Sequence, residues 1–368
     1  MTDTSSAILG SFSDQMSRTP QSPRWHGEGD VLTHTRMVCE ALCNLPEFQA
    51  LPERRRELLL DGARLHDIGK ISTTCEIGGV TEAMHHAPVG SRMARQQLWL
   101  AGMCGSKEKI EWRETICHLI RYHSFPPHAI DAEDGAVRLH RIAAASSLLP
   151  DFSLRMLCIL AKADMLGRLC EDRELMLERI ELCEALAGEE GCLDGSFCFH
   201  SAHAMHAYLS GKDIWKDQEL YDDTWGTVFL LSGLPGTGKD TWIRQNLPDL
   251  PMISLDEIRR ERKISPTKHQ GLVANLAKEQ AKEYLRRHRP FVWNATNITR
   301  TTRQQLVSMF ESYKANVHII YLETDRQTLL SRNCAREYSV PQAVIEEMVC
   351  KLELPEAYEA REVDWIQL

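Results

Sequence analysis

No stretch of this chain approaches the roughly 20 consecutive apolar residues needed to span a bilayer, so no membrane segment is expected. Its twelve cysteines include no CxxC pair, which argues against a zinc knuckle or a disulfide framework. In a reducing compartment they read as small buried apolar residues, and Cys39 and Cys43, one helical turn apart, do not alter that. Positive charge is also in deficit. With 43 Lys and Arg against 52 Asp and Glu, the net charge of −9 excludes a general attraction to polyanions. Any nucleic-acid contact must be local, and two basic runs qualify: Arg259-Arg260-Glu261-Arg262-Lys263 and Arg286-Arg287-His288-Arg289. The N-terminal stretch has no basic segment feeding an apolar one and does not read as a secretory signal; residues 1–24 are expected to form a flexible arm of a cytoplasmic protein. What is present is length: 368 residues suffice for two cores.

From Gly29 onward the pattern is helical, with no convincing period-two alternation and no internal repeat. Helices are expected near 30–45, 54–67, 88–101, 108–123, 136–147, 153–167 and 172–187, an all-α domain over 25–210 with a first break at 187–196. Its chemistry-bearing residues are histidines and aspartates. His66-Asp67 is a vicinal pair at a helix end closed by Gly69 and Lys70, so a ring nitrogen and a carboxylate oxygen can converge on one cation. One pair cannot complete a shell, so His34 and Asp164 would have to come from other helices. Mixed N/O ligation suits Mn²⁺, Fe²⁺, Co²⁺, Ni²⁺ or Zn²⁺. Lys70 and Arg121 are candidate phosphate contacts. His200, His203 and His206 share a helical face, but no acidic partner fits, and a plain amphipathic helix is expected. Together His34, His66-Asp67 and Asp164 resemble the H…HD…D signature of the HD phosphohydrolase superfamily. The run Trp25-His26-Gly-Glu28-Gly-Asp30-Val-Leu-Thr-His34 is similar to the entry of HD domains attached to some tRNA nucleotidyltransferases, which act on cyclic phosphates. Members with two metals add two histidines between HD and the last Asp; His86, followed four residues later by Gly90, and His123 fit those places, with His85 the competitor of His86. The resemblance implies one or two divalent ions and metal-activated hydrolysis of phosphate esters.

Residues 211–225 are polar, acidic and aromatic, and read as a linker. Beyond them strands and helices alternate: strands at 227–232, 251–254, 290–294 and 316–322, helices at 239–247, 269–288, 301–314 and after 325. This predicts an α/β domain over 226–368 with a parallel sheet and a ligand site at the strands' C-terminal edge. There lies Gly233-Leu-Pro-Gly236-Thr-Gly238-Lys239-Asp240-Thr241, a P-loop: backbone N–H groups and a helix N-terminus face one anion, and Lys239 adds a cation, the signature of ATP or another NTP with Mg²⁺. Asp240 stands where the motif calls for Ser or Thr, with Thr241 behind it. Asp256, after the second strand, can accept a proton from an attacking hydroxyl, and Arg259 can hold an acceptor phosphate. Asn294 and Asn297 end the third strand and can contact nucleotide or lid. Arg332 and Arg336 read as a lid that neutralises a transferring phosphoryl. These residues resemble the 5′-hydroxyl polynucleotide kinase branch of P-loop kinases, which implies Lys239 as the P-loop lysine, Asp256 as general base, Arg259 as acceptor-phosphate ligand, Arg336 as lid arginine and Arg332 as its support.

An HD phosphohydrolase ahead of such a kinase resembles the bacterial bifunctional RNA end-healing enzymes known as HD-Pnk. The resemblance implies opening and removal of a 2′,3′-cyclic phosphate by one half and phosphorylation of a 5′-OH by the other, on broken RNA and conceivably DNA ends, with an RNA ligase acting afterwards. A rival reading is an HD nucleotidase fused to a nucleoside-type kinase; a second is a regulatory module that senses nucleotide and metal without turnover.

Overall fold

The computed structural model describes residues 2–265, 269–336 and 338–368. The chain divides into two compact units, Met1–Met103 with Glu108–Cys198, and Cys104–Lys107 with Phe199–Leu368. No helix among the described residues is long and apolar enough to cross a membrane.

The first unit is a helical bundle. Its centre is three mutually packed helices, Val31–Asn44, Glu53–Leu65 and Leu154–Leu166. Each buries an apolar stripe at helical spacing: Val31, Val38 and Leu42 on the first, Leu58, Leu59 and Leu65 on the second, Leu157 and Leu160 on the third. Asp30 fixes the start of the first by accepting from Thr33 N at 2.9 Å, and Ser153 caps the third by accepting from Met156 N. Helices His86–Leu100, Lys107–Tyr122 and Arg173–Glu189 complete the bundle close to their expected bounds.

Two expectations fail here. Residues 1–24 are not a flexible arm: Thr2–Arg18 is a helix of 17 residues. Its apolar residues are sparse but recur every fourth position, and Ile8 and Met16 are buried, Met16 against Val31 and Leu32 with Phe12 beside it. Tertiary packing thus orders a segment whose composition reads as polar. The second departure is a small antiparallel hairpin, β1 (Cys75–Ile77) with β2 (Val80–Glu82), turned by Gly78 and Gly79, both at positive φ. A two-residue Gly-Gly loop is a hairpin signal, and strands of three residues are too short for periodicity to register.

Gly69 is required for space. A methyl there would meet the His86 carbonyl at 2.1 Å and Gly90 N at 2.6 Å, so the turn after His66-Asp67 and the start of the His86 helix can approach only through this glycine. Gly69→Ala is therefore expected to destabilise the protein by about 2–4 kcal/mol and to lower metal affinity along with it, read by thermal melting and calorimetry; an unchanged melting curve would refute the close-packing argument.

The second unit is a five-stranded, all-parallel sheet of β3 (Thr227–Ser232), β4 (Met252–Ser254), β5 (Val292–Asn294), β6 (Asn316–Glu323) and β7 (Glu362–Gln367), in the order β4-β5-β3-β6-β7. Alternation along β3 serves both faces: Val228 and Leu230 join one buried cluster with residues of helices Gln270–Arg286 and Arg300–Glu311, and Leu231 joins another with Ile243 of helix Lys239–Asn246. Helices therefore cover both faces, as parallel strands require. Strand β7 was not anticipated; it is an edge strand whose residues are at most half-buried, so it lacks the continuous apolar run of its neighbours. The expected domain boundary at 210 also shifts. Helix Ala202–Leu209 belongs to the second unit, where the buried His206 donates from Nδ1 to Tyr358 O at 2.7 Å and sets Nε2 2.7 Å from Glu311 Oε1. An acidic partner for His206 exists after all, one that sequence distance hid. The acidic stretch before β3 is pinned at its end, with Trp225 Nε1 donating to Tyr313 O and Asp223 paired with Lys314.

Candidate active sites

In the helical unit the structure brings His34, His66, Asp67, His86, His123 and Asp164 into one cluster. His66 and Asp67 sit where helix Glu53–Leu65 ends, His34 and Asp164 on the helices packed against it, His86 at the start of its helix and His123 just past Tyr122. His34 Nε2 lies 3.0 Å from Asp164 Oδ1 and 3.3 Å from His66 Nε2. On the other side, His86 Nε2 and His123 Nε2 are 3.3 Å apart. Asp67 stands between the two groups: Oδ2 is 3.3 Å from His66 Nε2 and 3.5 Å from His34 Nε2, while Oδ1 is 3.4 Å from His86 Nε2 and 3.8 Å from His123 Nε2. His85, the competitor, is exposed.

The hydrogen bonds settle the tautomers. His66, His86 and His123 each place Nδ1 2.8–2.9 Å from the carbonyl oxygen three residues back, of Ala63, Ala83 and Ile120. A carbonyl only accepts, so Nδ1 carries the proton and Nε2 presents a lone pair. The lone pairs of His86 and His123 thus face each other at hydrogen-bond distance without a proton between them. Asp67 Oδ1 is buried and receives no hydrogen bond among the described residues, while Oδ2 meets the Lys70 ammonium at 2.7 Å. Opposed lone pairs and an orphaned carboxylate oxygen are costly unless a cation lies among them. The donor set fits one divalent ion among His34, His66, Asp67 and Asp164, and a second among His86, His123 and Asp67, with nitrogen and oxygen ligands of borderline character.

Burial opposes ionisation of Asp67, but Lys70, 2.7 Å from Oδ2, and His66 outweigh it and hold the carboxyl well below the ordinary range. Asp164 is likewise held low against burial by Arg168, which bonds it at 2.5 and 3.1 Å, and by His34. Burial pushes His123 down to about 3, keeping it in the neutral form that a metal ligand needs. His34 goes the other way: burial disfavours its charge, but hydrogen bonds with Asp164 and Glu28 raise it above 6.5. An ion must displace that proton. Below the raised value of His34 the affinity for Mn²⁺ is expected to fall toward about tenfold per pH unit and to level off above it. Titration calorimetry from pH 6 to 8 checks this, and a flat profile would contradict it.

Sequence reading passed over the outer layer. Glu28, almost wholly buried, accepts from His34 Nδ1 and His26 Nδ1, both at 2.8 Å, and from Leu169 N at 3.0 Å. Lys70 is not a free phosphate contact: its buried ammonium bonds Gln21 Oε1 at 2.5 Å and lies 3.3 Å from His26 Nε2. These groups orient His34 and Asp67. The Asp164–Arg168 spacing, i to i+4 across a helix C-terminus, was one available signal. Arg121 lies half-buried over the Tyr122 ring.

In the α/β unit, β3 runs into the P-loop at the sheet's C-terminal edge. Gly233, Gly236 and Gly238 all have positive φ, and a methyl at Gly233 would meet Leu322 O at 2.5 Å, one at Gly236 Leu329 O at 2.7 Å. Lys239 Nζ donates to the Gly233 and Leu234 carbonyls at 2.8 and 2.9 Å; burial, partly offset by Asp240, lowers it to about 8. Asp240 accepts from Asn294 Nδ2 at 2.6 Å, and Thr241 is exposed. Asp256 lies in the first turn of helix Leu255–Glu261; Ser254 makes the cap, leaving the Asp256 carboxylate exposed and 3.6 Å from Arg336. Arg332 donates to Thr237 O of the P-loop at 3.2 Å, and Arg259 bonds Ser265 O and Gln270. Asn297 is buried and donates to Leu231 O at 2.7 Å.

Residues 31–149 match the HD domain family, and residues 228–355 match the AAA domain family. The chain is also similar to the L-seryl-tRNA(Sec) kinase of Methanococcus maripaludis, with 24% identity over 136 residues, 35% of this chain and 53% of that protein; it spans about half the length of that curated relative. The chain thus joins a helical domain of the HD type to an α/β domain of the AAA type that carries a P-loop.

Proposed function

We propose that this protein heals broken RNA ends, removing a 2′,3′-cyclic phosphate with the helical unit and phosphorylating the 5′-OH with the α/β unit. In the first, His34, His66, Asp67 and Asp164 would hold one ion and His86, His123 and Asp67 a second. Divalent ions bound there acidify water and polarise a phosphoryl oxygen. Glu28, Lys70 and Arg168 keep the ligand atoms aimed inward. In the second, the P-loop amides and Lys239 bind the phosphates of an NTP, with Mg²⁺ neutralising charge. Asp256 takes the proton of the attacking hydroxyl, and Arg332 and Arg336 close over the transferring group.

The observation that carries an RNA end over a free nucleoside is the openness of the acceptor side. The Asp256 side chain is 73% exposed, and the following segment bears Arg259, Arg260, Arg262 and Lys263 beside an open cavity of about 630 Å³ floored by Ile264, Leu272 and Leu276. A nucleoside is ordinarily enclosed, whereas a strand needs an open basic track. The relative's name, L-seryl-tRNA(Sec) kinase, supports the same choice. An RNA ligase would use the resulting ends.

The test is one oligoribonucleotide carrying a 5′-OH and a 2′,3′-cyclic phosphate, incubated with γ-labelled ATP beside a DNA counterpart and a panel of nucleosides. Label on the RNA 5′ end and loss of the cyclic phosphate are expected. Label confined to nucleosides would replace this reading with the nucleotide-metabolism one, and ATP binding without any turnover would replace it with a sensor.

A further inference from the structure

The P-loop ordinarily places a neutral Ser or Thr hydroxyl on Mg²⁺, and here Asp240 takes that place. We propose that Asp240, oriented by Asn294, makes nucleotide binding by this protein conditional on a divalent cation. The proposal rests on the P-loop reading above and is independent of which hydroxyl receives the phosphoryl.

Asn294 ends β5, is 5% exposed and donates from Nδ2 to Asp240 Oδ1 at 2.6 Å. The partner is an amide, which fixes the carboxylate without cancelling its charge. Among the described residues no cationic side chain bonds the carboxylate. Lys239 turns its ammonium to the Gly233 and Leu234 carbonyls, and Arg244 bonds the backbone oxygen of Asp240 and not its side chain. Among the described residues no donor bonds Asp240 Oδ2. A full negative charge with one oxygen free therefore stands at the mouth of the phosphate cradle. Toward a bare triphosphate it is repulsive. Toward a hard cation it is the preferred kind of ligand, and Mg²⁺ is typically held by one or two carboxylates together with phosphate oxygens. A hydroxyl in its place would favour the metal complex less and oppose the bare nucleotide less. The carboxylate thus converts one position into a discriminator between free and metal-bound nucleotide, with Asn294 as its positioning residue.

The experiment measures the affinity of the full chain for ATP in EDTA and in MgCl₂, by calorimetry and by fluorescence of the adjacent Trp242, with thermal melting to confirm folding. The ratio of the two dissociation constants is the readout. Asp240→Ser is expected to shrink it by about tenfold or more, the metal-free affinity rising as the metal-bound affinity falls. Asn294→Ala, which keeps the charge and loses its aim, is expected to leave metal-free binding weak and to weaken metal-bound binding alone. A folded Asp240→Ser protein with an unchanged ratio overturns the proposal. So does one with a lowered melting temperature and an unchanged ratio, which would reduce Asp240 to a charge complementing its helix N-terminus. A wild-type chain that binds no ATP even with Mg²⁺ overturns the kinase reading itself.

Discussion

Replacing Asp67 by Asn is expected to reduce metal-dependent phosphoester hydrolysis at least about 10³-fold, because losing even one well-placed transition-state contact costs on the order of 10² to 10³ and this residue faces both candidate ion positions. Its two oxygens face different histidine pairs, and each is within 4 Å of both members of its pair. The amide offers one weak oxygen ligand and one donor, so it can satisfy at most one side. Asparagine is the informative substitution, since alanine would also open a cavity and leave the buried Lys70 ammonium unpaired, a loss of about 3–5 kcal/mol when a buried partner is removed. Metal content measured on the purified variant should fall for both ions together, with 5′-phosphorylation unchanged. Loss of a single ion would assign the bridging role elsewhere.

The second large effect is the mirror of the first. Lys239→Ala is expected to lower phosphoryl transfer at least about 10³-fold, the scale of cationic stabilisation of a transferring phosphoryl, with cyclic-phosphate hydrolysis untouched. The ammonium rests on two P-loop carbonyls and, lowered to about 8, is held in place by geometry more than by solvation. Phosphates offer it stronger acceptors, so the side chain is expected to turn from the loop's own backbone to the ligand when nucleotide binds. One substitution that removed both activities from a folded protein would sink the separation of the two sites.

How much of this was legible in the sequence depends on the range of the interaction. The bundle helices and strands β3–β6 follow from period and length, since their burial is periodic along one segment. The P-loop is a local motif and announces itself. Of the six clustered residues, His34, His66, Asp67 and Asp164 could be named from residue type and His86 and His123 from the family resemblance, but the division into two groups about one carboxylate could not, because it depends on how four helix ends meet. The role of Glu28 was hidden because a loop residue gains it from the ring it touches, and the pairing of Asn294 with Asp240 because the two lie 54 residues apart. The boundary at 210 failed for the same reason: His206 is committed to Glu311 and Tyr358, far along the chain.

The helix Thr2–Arg18 has a consequence for how the hydrolase half can be cut down. Ser5 bonds the buried Asp61, Met16 fills space against Val31, and the segment leads to Gln21, which holds Lys70 against Asp67. A polypeptide started at Trp25, the natural choice for a minimal domain by composition, would therefore be stripped of part of the scaffolding of its own catalytic centre. Ancestry traced through the signature residues alone would call that fragment whole; its metal-loading chemistry would say otherwise.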